Sequence, residues 1–305
     1  MRVLTEEEYM SENSAVALGM FDAIHKGHIS IINSLLDFAK KNNLVSVVFL
    51  FSNVPEGVVS ETYVKTVYPL KKRIEILEEL GVDTVYVKSF DFDFMNISCE
   101  SFANEYILKK LSAKAVFAGF NYTFGKGRSG NVDLLKNICK SKEIVCNIIP
   151  EFKVGGESVS STRIRELLKN GVPQKARELL GRCFSVSGVV KKGLNIGSTK
   201  LGFPTANVEY PKDICELKDG VYITKTRIFG KLYNSVTNVG KKPTVGVYEK
   251  NIETHIIEEF SDLYGEEIEI FFYEYLREIQ QFDDCEGLKK QIEIDKNKAN
   301  IYFNL

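Results

Sequence analysis

Ser14-Ala-Val-Ala-Leu-Gly-Met-Phe-Asp-Ala-Ile-His-Lys-Gly-His28 is the stretch that decides the fold of the first half of this 305-residue chain. Ala15–Gly19 is a short, wholly apolar run, the mark of a strand buried on both faces. From about His28 to Lys41 the apolar residues Ile31, Ile32, Leu35, Leu36 and Ala39 recur at helical spacing. A buried strand running straight into an amphipathic helix is the opening of a βαβ unit. The same alternation continues outward. Leu44–Phe51 is a second apolar strand, Pro69 opens a helix that Gly81 stops, and Thr84–Val87 is a third strand. A helix near Glu100–Leu111, the run Ala115–Gly119, a helix near Val132–Lys142 and the run Ile144–Ile149 extend it. Strands alternating with helices predict a doubly wound parallel sheet, which binds ligands at the carboxyl ends of its strands.

The pattern changes near Arg182. Two helical segments, Ser161–Leu168 and Pro173–Leu180, are followed by Phe184–Val190, Gly220–Ile228, Lys231–Val239, Ile252–Glu259 and Ile268–Leu276. These are strand-like and lie close together, with Gly or Asn turns between them, as in an antiparallel barrel or sandwich. A final helix spans about Glu286–Tyr302. The expected division is therefore a first domain over 1–182 and a mostly β domain over 183–305.

Composition excludes several classes of function. Lys+Arg total 40 and Asp+Glu 41. Up to Arg182 the count is 24 basic against 22 acidic residues, leaving 16 against 19. No basic patch recruits nucleic acid and no field draws the chain to an anionic membrane. No apolar run approaches a membrane span, and the acidic opening residues do not read as a targeting segment. The six cysteines are scattered without a paired spacing, so neither a disulfide framework nor a zinc site is expected. These features predict a soluble cytoplasmic protein. The oligomeric state is not legible.

Two of the chain's 3 histidines, His25 and His28, fall in the segment between the first strand and first helix. A helix start offers unbonded N–H groups and partial positive charge, and Gly27 lets an anion approach. Two imidazoles there can donate to phosphate oxygens as negative charge develops. Gly119–Gly130 is a second glycine-rich segment after a strand, either a plain connection or part of the same site. Ser160-Ser161-Thr162-Arg163-Ile164-Arg165 is a helix start, either a simple cap or a phosphate seat. In the second half, Gly193–Asn207 is a glycine-rich loop ending in Pro204-Thr205-Ala206-Asn207, whose amides could line a phosphate and whose side-chain oxygens could hold Mg2+. His255 lies in Glu253-Thr254-His255-Ile256, on an expected strand.

The order G-x-F-D-x-x-H-x-G-H, G-x-N-Y-x-F-G and S-S-T-x-I-R resembles the amino-terminal module of bacterial bifunctional riboflavin kinase/FMN adenylyltransferases, the FAD synthetases. The Pro-Thr-Ala-Asn loop, Glu-Thr-His-Ile, Leu263-Tyr264-Gly265 and Leu276-Arg277 resemble the riboflavin kinase module of the same family. The resemblance spans about Val16 to Phe303. It implies a nucleotidyltransferase-like, Rossmann-like first domain and a riboflavin-kinase barrel, with ATP, riboflavin and FMN as small-molecule substrates and Mg2+ as the cofactor. It further implies that His25 and His28 stabilise adenylyl transfer, with Gly19, Phe21, Asp22, Gly27, Asn121, Ser161, Thr162 and Arg165 as ATP or flavin contacts. Glu253 would be the general base of the kinase. Gly193, Lys200, Gly202, Pro204, Thr205, Asn207 and Arg277 would contact ATP or flavin there, with Thr205 and Asn207 on the metal. His255 is expected to be structural. The chain departs from the family at Ala23, where Gly is usual, and at Phe51–Pro55, where a Pro-His-Pro element is usual. An alternative expectation is therefore a riboflavin kinase whose adenylyltransferase half is weak or inactive.

Overall fold

The computed structural model describes residues 1–53, 65–191, 205–241, 250–258, 260, 263–282 and 284–304. The chain forms two compact units, Met1–Ser161 and Thr162–Leu305.

The first unit opens with β1 (Arg2–Leu4), β2 (Ser14–Leu18), α1 (Lys26–Asn42) and β3 (Val45–Phe51). There follow α2 (Leu70–Glu79), β4 (Thr84–Lys88), the single turns α3 (Phe92–Met95) and α4 (Cys99–Phe102), and a π-helical continuation over Ala103–Lys110. β5 (Ala113–Gly119), α5 (Val132–Ser141), β6 (Val145–Ile149) and the small hairpin of β7 (Lys153–Val154) and β8 (Glu157–Ser158) complete it. The six strands β1 to β6 make one sheet in the order β1-β4-β3-β2-β5-β6, and every pairing is parallel. All five residues of β2 are buried, as a central strand covered on both faces requires. α1 lays Ile31, Ile32, Leu35 and Ala39 into the core. Each of the three larger side chains contributes roughly 1.5–3 kcal/mol when fully buried. The chain ends α1 with Asn43 in the left-handed conformation (φ 54°), a C-terminal stop that Asn tolerates.

Strand order places the site. β2, β3 and β4 run outward in one direction, whereas β5 and β6 lie on the other side of β2. β2 therefore neighbours both β3 and β5, with Leu18 opposite Phe49 on one side and Ala118 on the other. This is a topological switch point, where loops diverge and leave a crevice at the carboxyl ends. The loops that leave it begin at Gly19 and after Gly119.

The boundary falls at the first residue of α6 (Ser161–Lys169), so the second unit comprises the rest of that helix and then α7 (Pro173–Leu180). Next come β9 (Phe184–Val189), β10 (Ala206–Glu209), β11 (Gly220–Ile228), β12 (Lys231–Lys241), β13 (Lys250–Ile256), β14 (Glu267–Arg277) and α8 (Cys285–Asn304). The strands form one antiparallel sheet in the order β10-β13-β12-β11-β14-β9. Its two ends meet: Lys191 N–H donates to the Asn207 carbonyl at 2.8 Å. At this closure a Cβ on Gly188 would lie 2.3 Å from Val208 Cγ1, so only glycine fits the approach. The sheet is thus curled into a near-barrel. A ring of buried hydroxyls, Thr224, Ser235, Thr226, Thr254 and Thr237, is hydrogen-bonded within it at 2.7–3.4 Å.

The doubly wound parallel sheet and the antiparallel barrel are as the sequence predicts. The helices over 161–180, read from sequence as the end of the first domain, pack with the barrel. Lys218 N–H donates to the Leu168 carbonyl of α6 at 3.1 Å, α7 lies on β14 and β9, and Arg177 stacks over the Tyr273 ring at 5.7 Å.

α8 is held to the barrel by Val221, Ile223, Val236 and Ala299, with Tyr302 and Phe303 around them. It is also held by a charge pair. The Arg277 guanidinium donates to both oxygens of Asp295, at 2.7–3.2 Å, and Gln291 Nε2 adds a bond at 2.9 Å. Asp295 is 1% exposed. Removing one partner of such a pair leaves a buried charge, at a cost of about 3–5 kcal/mol. Asp295→Ala is therefore expected to lower the melting transition of the second unit in calorimetry, whereas an unchanged transition would show that α8 is held by its apolar face alone.

Candidate active sites

In the first unit, His25 is the N-cap of α1. Its Nδ1 accepts the backbone N–H of His28 at 3.2 Å, which satisfies one of the unbonded groups of the helix start. In the neutral ring the proton is then on Nε2, so the donor edge of His25 is fixed by the cap itself. The His28 ring stacks on the His25 ring, with centroids 3.8 Å apart and planes at 12°. Phe21 meets His28 edge-on at 5.1 Å. The two imidazoles are therefore held as a pair at a positive helix end.

The loop that delivers them is strained. Phe21 (φ 44°) and Ile24 (φ 43°) both take left-handed backbone, a conformation that costs of order 1–3 kcal/mol for such residues. It is secured from below. Phe21 and Ile24 are fully buried, and the buried Asp22 carboxylate accepts the Val67 N–H at 2.7 Å. Phe21 and Asp22 thus support the loop, and the Phe21 ring lies 3.1 Å from where a Cβ on Gly19 would stand. A Cβ on Gly27 would press on the His25 ring at 3.2 Å, so this glycine keeps space open beside the cap.

The second loop starts where β5 ends, next to β2. Tyr122 N–H donates to the Gly119 carbonyl at 3.0 Å, and this tight turn presents Asn121 to solvent. Tyr122 stacks on Phe124 at 5.8 Å, and burial pushes its phenol above the usual range, so it stays neutral. Ser160 and Ser161 reach the same end of the sheet through the hairpin. Val159 N–H donates to the Phe152 carbonyl at 3.2 Å, and Phe152 Cβ lies 3.6 Å from the position of a Gly27 Cβ. Thr162 (exposed) and Arg165 (half-buried) follow on α6 in the second unit.

In the second unit the decisive observation is strand register. Glu253 on β13 stands opposite Asn207 on β10 and opposite Asn238 on β12. Residues directly opposite share one face of a sheet, so Asn207, Glu253 and Asn238 form a row across three strands. Asn207 is fixed in it: Nδ2 donates to the Thr205 carbonyl at 3.3 Å, and Oδ1 accepts from Asn251 Nδ2 at 3.3 Å. Thr205 immediately precedes β10. A carboxylate beside neutral oxygen donors suits both proton acceptance and a hard cation. His255, nearly buried, stands opposite Val236 on the same face as Glu253.

Gly193, Lys200, Gly202 and Pro204 lie outside the described residues. Arg277, read from sequence as a ligand contact, is committed to Asp295, so in this structure it locks α8 to the barrel. Asn238 was not singled out from sequence. An Asn in a strand-like run looks like a turn residue, and its place beside Glu253 follows from register alone.

Residues 7–163 match the family model of FAD synthetase, and residues 180–303 match that of riboflavin kinase. A bifunctional riboflavin kinase/FMN adenylyltransferase of Buchnera aphidicola subsp. Schizaphis graminum (strain Sg) is 34% identical over 304 residues, covering 97% of this chain and 96% of that protein. Its counterpart in Bacillus subtilis (strain 168) is 33% identical over 298 residues, covering 95% and 93%. A solved structure described as a macrolide-efflux protein from Streptococcus pneumoniae is 28% identical with a TM-score of 0.90, over 98% of this chain and 99% of that one.

Proposed function

Since the chain belongs to the bifunctional riboflavin kinase/FMN adenylyltransferase family, with both family models matched and relatives at 34% and 33% identity over nearly its whole length, we propose that its two units carry the two reactions at the sites described above. The second phosphorylates riboflavin to FMN with ATP. The first adenylylates FMN to FAD with a second ATP. The row of Glu253 with Asn207 and Asn238 is the observation that carries the kinase assignment, and the stacked His25–His28 pair at the switch point is its counterpart for adenylyl transfer. Both halves are present, which favours the two-reaction reading over a kinase with an idle first domain. Among the described residues no helix is long and apolar enough to cross a membrane.

In the kinase reaction the ribityl 5′-oxygen attacks the γ-phosphorus of ATP, the bond to the β-phosphate oxygen breaks, and ADP leaves. Glu253 accepts the hydroxyl proton. Thr205 Oγ1 and Asn207 Oδ1 are hard neutral donors that fit Mg2+, which takes a few protein oxygens and completes its shell with phosphate and water. When bound there it supplies charge neutralisation for the transferring phosphoryl group. In adenylyl transfer an FMN phosphate oxygen attacks the α-phosphorus of ATP and pyrophosphate leaves. His25 Nε2–H and the His28 ring donate to the oxygens on which charge accumulates, and the α1 N-terminus adds its partial positive charge. Gly19, Gly27, Asn121 and Ser161 serve as contacts to nucleotide or flavin, and the Phe21–Asp22 pair keeps the histidine loop in place. The near-balanced charge of 40 basic and 41 acidic residues suits small-molecule substrates of the cytoplasm.

The test is product analysis on purified protein. Riboflavin with ATP and Mg2+ should yield FMN and then FAD, and FMN with ATP should yield FAD directly. FMN formation without any FAD from either substrate would overturn the adenylyltransferase assignment.

A further inference from the structure

Asn238 has one buried atom that the fold does not explain. Its Oδ1 is closed off from solvent and makes no hydrogen bond among the described residues. Buried polar atoms in folded proteins are almost always paired, and an orphan marks strain or the place of a missing ligand. The surroundings explain why the protein itself does not satisfy it. Across the strands Asn238 faces Glu253 on one side and Val221 on the other. Along its own strand the same face carries Val236 and Gly240. An ionised carboxylate only accepts, and the other three positions offer no side-chain donor.

We infer that Asn238 is a substrate-binding residue of the kinase site, accepting a hydrogen bond from the ribityl hydroxyl next to the one that reacts. The inference rests on the assignment of Glu253 as base. Directly opposed residues on neighbouring strands hold their Cβ atoms about 4.5–5.5 Å apart. A chain carrying hydroxyls on adjacent carbons matches that spacing: the 5′-hydroxyl meets Glu253 and the 4′-hydroxyl meets Asn238. A hydroxyl both donates and accepts, so it satisfies the amide in either orientation of its oxygen and nitrogen. Asn238 thereby selects a polyhydroxylated chain and sets which of its hydroxyls the base receives.

The experiment compares Asn238→Ala with the unchanged protein on riboflavin and on 4′-deoxyriboflavin, with the thermal transition of ligand-free protein recorded alongside. The expected loss in kcat/KM on riboflavin is about 5- to 150-fold, the range for a buried bond left unmade. On 4′-deoxyriboflavin the two proteins should differ less than about twofold. The ligand-free thermal transition should be unchanged or higher, because the substitution removes a polar atom that has no partner in the free protein. Equal losses on both substrates, no loss on riboflavin, or a lowered transition with proportional loss of all activity would each overturn the inference. Glu253→Gln in the same assay separates the two readings. If it retains full phosphorylation, the base assignment fails; if it is inactive while Asn238→Ala is unaffected, only the hydroxyl contact fails.

Discussion

Glu253→Gln is expected to slow riboflavin phosphorylation by about 10²–10⁴-fold, the usual contribution of a positioned general base, and to leave conversion of FMN to FAD unchanged. The substitution keeps the shape of the side chain and replaces a proton acceptor by an amide. Its strand neighbours are unaltered: Asn207 remains tied to Thr205 and Asn251, and the hydroxyl ring inside the barrel faces away from position 253. The loss should therefore appear in kcat, with KM for ATP little changed, because a base acts on the reacting hydroxyl and contributes little to nucleotide binding. Product chromatography with riboflavin and, separately, with FMN checks both halves. A variant that phosphorylates at the normal rate would remove Glu253 from the chemistry.

The second large effect concerns the imidazole pair. His28→Ala should lower FAD formation by about 10²–10³-fold, as when one donor to a developing oxyanion is removed, with FMN formation retained. The fold tolerates this change for a specific reason. The cap of α1 runs from the His25 ring to the backbone N–H of residue 28, which alanine keeps. His25→Ala differs because it removes the cap as well as a donor, so it should destabilise the first unit by roughly 1 kcal/mol in addition to its kinetic effect. Steady-state rates with FMN as substrate, paired with a thermal melt, distinguish the two variants. Equal destabilisation by both would show that the stacked rings, and not the cap, hold the helix start.

How far the sequence alone carries can be traced at particular residues. The run Ala15–Leu18 is apolar without interruption, and only a strand covered on both faces reads that way, so the parallel sheet follows directly. His25 and His28 were legible for a similar reason, since they sit at the one strand-to-helix junction with glycine between them. β10 was not. Ala206–Glu209 has only four residues and follows a glycine- and proline-rich loop, so its short alternation of buried Ala206 and Val208 passes for loop. The helices over 161–180 were recognised as helices, but periodicity shows that a face is buried and not what buries it. Their packing against β9, β14 and Lys218 depends on contacts distant in sequence. Arg277 shows the same limit: its partner Asp295 lies on another element, so its hold on α8 is not legible from its motif position.

Glu253 and Asn238 are separated by fifteen positions, and their apposition depends on the register between β12 and β13. No pattern within either strand encodes that register. This is why Glu253 is singled out by resemblance while its neighbour is not. The strained Phe21 and Ile24 are likewise silent in sequence, because neither residue type signals positive φ. Strain of this kind persists where the surroundings enforce it, here through the buried Asp22–Val67 bond.

The most direct measurement follows the other product of each reaction. With riboflavin and ATP, His28→Ala should release ADP at the normal rate and almost no pyrophosphate. With riboflavin and ATP, Glu253→Gln should release almost no ADP, and with FMN and ATP it should release pyrophosphate at the normal rate. Independent loss of the two leaving groups is what two separate centres require. If one substitution abolished both ADP release from riboflavin and pyrophosphate release from supplied FMN, in protein with a normal thermal transition, a single shared centre would have to replace the two described here.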